Sequence, residues 1–85
     1  MEIIVRKPTD GEKIFMAMQD TWQSGIARFN HHYDSNETCL LTEGQATVEY
    51  AGGSVSFGAG DLVIFPKGLD CVWNVVVPVK KYVRA

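Results

Sequence analysis

Eighty-five residues, a formal net charge of −2 and two cysteines leave room for one domain and exclude a disulfide scaffold. The basic residues are scattered, which leaves no electrostatic footprint for nucleic acid or an anionic membrane. No apolar run approaches the ~20 residues that span a bilayer, and no charged-then-apolar leader precedes Glu2, so a soluble cytoplasmic protein with reduced thiols is expected.

In chain order, Glu2 to Arg6 is predicted as an edge strand, and Pro8–Thr9–Asp10 as the opening of a short helix. Thr9 or Asp10 supplies its cap, and Ile14, Phe15 and Met18 its apolar stripe. Trp22 and Gly25 are placed in a loop. From Ala27 onward the pattern is that of an all-β domain. Ala27, Phe29, His31 and Tyr33 share one face of a strand; Arg28, Asn30 and His32 share the other. Glu37 to Glu43 is a second strand, which Gly44 breaks before Gln45 to Tyr50 resumes. Gly52–Gly53 signals a hairpin, because glycine takes positive φ without penalty. Ser54 to Phe57 returns, and Gly58–Ala59–Gly60–Asp61 turns into the apolar run Leu62 to Phe65. Pro66–Lys67–Gly68 turns again. Cys71 to Val77 and Tyr82 to Arg84 are the last strands, separated by Pro78, which cannot donate to a ladder. Short strands with frequent turns and at most one helix predict a sandwich or closed barrel.

Two spacings sharpen that prediction. Gly25, His31, Tyr33, Glu37 and Gly44 follow the register Gly-(x)5-His-x-His-(x)3,4-Glu-(x)6-Gly, with tyrosine at the second histidine position. Gly60, Pro66, Gly68, Cys71 and Val75 follow Gly-(x)5-Pro-x-Gly-(x)2-His-(x)3-Asn, with cysteine and valine in place of histidine and asparagine. The sequence resembles the cupins, which carry these two motifs, here about 25–44 and 60–75. Glu37–Thr38–Cys39, Phe57 to Val63, Phe65 to Gly68, Cys71, Trp73 and Lys80–Lys81–Tyr82 resemble one branch more closely, the small cupins related to the ureidoglycine aminohydrolase cupin domain. The resemblance implies a single domain over residues 1–85. Its fold would be a small cupin barrel (a double-stranded β-helix, or jelly roll) with a short N-terminal helix or turn.

It also implies that His31, Tyr33, Glu37 and Cys71 face the interior, where cupins bind a metal. Strand alternation supports this independently for His31 and Tyr33. At pH 7, deprotonating an unperturbed tyrosine costs about 4 kcal/mol and a cysteine about 2 kcal/mol. A pocket with no metal cofactor is therefore expected, the alternative being a divalent transition metal such as zinc on those four residues. Trp73 has the parity of Cys71 and is placed in the pocket wall, against the alternative of plain core packing. Burial disfavours a charged carboxylate, which makes Glu37 the candidate general acid or base with His31 as its partner. Cys71 as a nucleophile, or as a redox partner of Cys39, is set against a thiol that only packs. His32 is expected at the surface.

Two functions follow. One is a small-molecule-binding module. The other is an enzyme using Glu37 and His31 in proton transfer on a small polar, nitrogen-rich carbonyl substrate, with or without a metal. A homodimer is expected because so small a chain is marginally stable alone, with Glu2 to Arg6 as its interface strand.

Overall fold

The computed structural model describes residues 1–85. Its elements are β1 (Ile4–Arg6), α1 (Asp10–Met16), β2 (Asp20–Ser24), β3 (Ala27–His32), β4 (Glu37–Tyr50), β5 (Gly53–Gly58), β6 (Leu62–Phe65) and β7 (Asp70–Arg84). All strand pairs are antiparallel, and the long strands β4 and β7 form the spine. β5 and β6 pair with successive halves of β4, while β2 and β3 pair with successive halves of β7. β1 extends the sheet beyond β6 and ends it. The sheet curls until side chains from its two flanks touch: Tyr33, just after β3, stacks on Phe65 of β6 with ring centroids 4.6 Å apart. The result is a small all-β barrel.

The two long strands correct the sequence reading, which split each in two. Gly44 does not end its strand. It forms part of a bulge in which the pairing jumps from Leu41↔Lys81 to Glu43↔Lys80 and then to Gln45↔Val77. The bulge inverts the side-chain parity of β4, so Cys39 and Leu41 point inward before it and Ala46 and Val48 after it. Without it, one half of the strand would turn its apolar side to water. Gly44 has φ +91°, and a Cβ there would lie 2.1 Å from the carbonyl oxygen of Pro78, so only glycine fits. Pro78 sits inside β7 opposite this irregularity, where a missing N–H leaves no ladder bond broken.

Inside the barrel, Ala46, Val48, Phe57, Val63, Phe65, Trp73 and Val75 pack with the two cysteines into one apolar core. A second, smaller cluster lies outside it, where Met16 of α1 covers Leu40 and Leu62. Thr9 caps the helix in a capping box with Glu12, and Arg6 grips the same carboxylate at 2.6 and 2.8 Å. These bonds set the rotation of the helix, and they turn Met16 to the sheet. Ile14 and Met18 of the predicted stripe are exposed instead, and Phe15 is largely so. Trp22 is likewise not in a loop but in β2, paired with Lys81.

Candidate functional site

β7 presents Cys71, Trp73, Val75, Val79 and Lys81 to the interior, every second residue apart from the exposed Val77 at the bulge. Lys81 is the one charged residue of the chain whose position is buried. Its cross-strand neighbours are Trp22 on β2 and Leu41 on β4. The ammonium lies 4.9 Å from the ring centre of Trp22 and 4.5 Å from that of Trp73. It reaches Oε2 of Glu37, at the start of β4, across 3.4 Å. Side-chain exposure is 7% for Lys81 and 17% for Glu37, so water screens this pair far less than a surface one.

The aromatic surround follows from register. Phe29 pairs with Trp73 across β3 and β7, and their rings stack at 6.1 Å and 5°. Phe57 meets the same indole edge-on at 5.3 Å. Tyr33 is held by its backbone, whose N–H donates to the carbonyl of Leu69 and whose carbonyl accepts from the N–H of Gly68. Its hydroxyl accepts a 3.0 Å hydrogen bond from Nε1–H of Trp73. Burial pushes the Tyr33 phenol far above its usual range, against the smaller opposing effect of that bond. The tyrosine is therefore a neutral phenol at every physiological pH.

These side chains border a half-open cavity of about 250 Å³ lined by Trp22, Phe29, His31, Tyr33, Glu37, Trp73, Lys81 and Val83. His31 stands at its open side, exposed, with its ring edge-on to Tyr33 at 4.4 Å. A larger cleft of about 600 Å³ shares Trp22 and Lys81 with it. The rest of that cleft is Thr21, Gln23, Thr42, Glu43, Lys80 and Tyr82, ordinary strand-surface side chains. The smaller cavity is the one where apolar walls surround a few convergent polar groups, the usual make-up of a ligand site.

A family model described as the EutQ-like cupin domain matches residues 11–82. The chain belongs to this cupin family. A DUF861 family protein from Thermotoga maritima has a similar solved structure, with a TM-score of 0.91 and 36% identity over 98% of both chains. A putative ethanolamine utilization protein Q from Salmonella typhimurium is similar at a TM-score of 0.68 and 24% identity, over 74% of this chain and 51% of that one. The EutQ protein of Clostridium difficile is similar at 0.68 and 22%, with the same coverage. This cupin thus spans about half the length of the EutQ chains, and the likeness to them is one of fold. No curated protein matches it.

Of the sequence-predicted positions in this cupin, His31, Tyr33, Glu37 and Trp73 line one cavity. Cys71 does not. It packs in the apolar core instead, its thiol 3.6 Å from the backbone carbonyl of its cross-strand partner His31. No three His, Cys, Asp and Glu side chains gather where they could hold a metal ion. Tyr33 spends its oxygen on Trp73, and burial pushes the Cys71 thiol up. The four positions do not fit a divalent metal as they stand. His32 lies at the surface, bonded to Asp70 at 2.7 Å. Sequence reasoning missed Lys81 and placed Trp22 in a loop. The parity of β7 carried the signal for Lys81, two strand steps beyond Val77, but a strand thought to stop at Pro78 hid it.

Proposed function

We propose that this cupin is a small-molecule-binding module whose cavity takes one small, flat, polar guest and no resident metal. The observation that carries the reading is the Lys81–Glu37 pair sunk among Trp22, Trp73 and Phe29. Taking both charges out of water is costly, and apolar residues of similar volume would pack at least as well. A role in recognition explains why two charges stand where the rest of the barrel is apolar. The volume of about 250 Å³, below the 300–1,000 Å³ common for drug-sized ligands, suits a guest of one ring or two fused rings. Lys81 offers a donor beside the acceptor of Glu37, the complement of a carbonyl next to an N–H. Nitrogen-rich carbonyl compounds, the class that the aminohydrolase resemblance suggests, are therefore the first guests to test.

Titration with hydantoin, benzamide and urea, read by tryptophan fluorescence and melting temperature, tests this. Binding to the native state raises the midpoint as ligand exceeds its Kd, and stacking on Trp22 or Trp73 changes the emission. We expect hydantoin to do both, and urea, with no ring to stack, to be weaker. If no guest alters either signal at millimolar concentration, the reading fails. Elemental analysis of tag-free protein should find well under one equivalent of any transition metal. Stoichiometric zinc that disappears in Cys71→Ser would restore the metal alternative.

A further inference from the structure

Beside the exposed His31 at its open side, the cavity holds one acceptor and two donors. Glu37 is the acceptor, and its second carboxylate oxygen has no hydrogen-bond partner in the chain. Lys81 directs one N–H to Glu37 at 3.4 Å, well beyond the ~2.8 Å of a tight charge-assisted bond. Both ends of this loose pair can turn to a guest. Tyr33 uses its oxygen as an acceptor for Trp73, and its own proton has no acceptor in the chain. Burial keeps that proton in place.

Removing a proton from the carbon next to a carbonyl needs such a set. A base must reach the C–H, and donors must stand where negative charge develops on the oxygen. The two reacting positions are neighbours on a small molecule, as the Glu37 carboxylate and the Lys81 ammonium are neighbours in the cavity. The stacked faces of Phe29 and Trp73 would hold a flat guest beside them.

We propose that the cavity is an enolising site for small flat ketones and aldehydes, with Glu37 as the base and Lys81 and Tyr33 as the donors to the enolate oxygen. The proposal rests on the reading of this cavity as a ligand pocket. In the forward step the C–H bond breaks and its proton passes to Glu37. The C–H electron pair becomes the C=C bond, and the carbonyl π pair moves onto oxygen, which Lys81 and Tyr33 stabilise by hydrogen bonds. Return of a proton from Glu37 to carbon closes the cycle. No oxidant, reductant or second substrate is needed. In heavy water, Glu37 exchanges its proton and the returning hydrogen is deuterium.

The probe is 2-indanone, a flat ketone with acidic α-hydrogens, incubated with the full chain in heavy water and followed by proton NMR, with tryptophan quenching as a separate measure of binding. General-base catalysis should speed α-deuteration about a hundredfold over protein-free buffer. Glu37→Gln keeps the shape and hydrogen bonding of the side chain, and should bind the ketone yet lose that acceleration. Lys81→Gln should reduce it as well, with circular dichroism confirming that each variant is folded. Quenching without accelerated exchange in the parent protein would overturn the proposal and leave the pocket reading intact. Exchange that persists in Glu37→Gln would also overturn it. Absence of quenching by 2-indanone would remove the proposal through its premise, whereas the hydantoin titration decides the pocket reading separately.

Discussion

The two halves of the barrel solve opposite problems with the same strands. Beyond the bulge, Ala46 and Val48 on β4 face Phe57 and Val75, and these positions are at most 3% exposed. Before it, the continuation of β7 carries Lys81, and the neighbouring strands bring Trp22 and Glu37, which remain partly open to solvent. One end is filled to the density of a protein interior, where each lost methylene is felt. The other gives up packing to hold two charges and a cavity. The bulge at Gly44 stands between them and lets one strand serve both. The sealed end should therefore govern stability and the open end recognition.

The sharpest way to break this division is to compare truncations in the two halves. Phe57→Ala removes a buried ring that pairs with Ala46 in the sealed half and should cost about 3–5 kcal/mol, a large share of what holds a domain of this size together. Lys81→Met should cost less, about 1–3 kcal/mol, because it leaves the Glu37 carboxylate without its partner. Adding Glu37→Gln to Lys81→Met should recover most of that loss, since an absent pair is cheaper than half a pair. Urea unfolding at constant m-value measures all three. If the double variant were no more stable than Lys81→Met alone, the loss would not come from a carboxylate left without its partner.

How much of this was legible beforehand depended on which local rule decided each position. The hairpin around Gly52–Gly53, the strand Leu62–Phe65 and the turn Pro66–Gly68 were readable because turn chemistry acts within a few residues. The Thr9 cap was readable for the same reason, and so was the inward parity of Tyr33. The single spans β4 and β7 were not. Gly44 and Pro78 read as breakers one at a time, and only their placement opposite each other in the sheet makes a bulge of them. Lys81 was lost with that error. The outer cluster around Met16 was hidden because a seven-residue helix has too short a stripe to reveal which side meets a sheet. That Cys71 packs in the core and does not line the cavity depends on contacts between strands distant in sequence, such as the one with His31, 40 residues away.

The cysteines allow a finer test of the same division, with no effect on stability. Cys39, fully buried on β4, has its thiol pushed up to about 12 by burial, partly offset by the charge of Lys81. Cys71 is also raised, by burial first and then by the nearby charge of Asp70, but its side chain retains some exposure. The thiolate is the reactive form, so both should alkylate slowly at pH 7, and Cys71 should react first as pH rises. In urea above the unfolding midpoint the two should react at similar rates, because the protective environment is then gone. Mass spectrometry of protein treated with iodoacetamide from pH 7 to 9 checks the order. Rapid, selective labelling of Cys71 at pH 7 would mean that its thiol is activated, and Cys71 would then join the open end of the barrel as a chemical group. Slow labelling with Cys71 ahead of Cys39 would place it where the geometry does, at the boundary between the sealed core and the cavity.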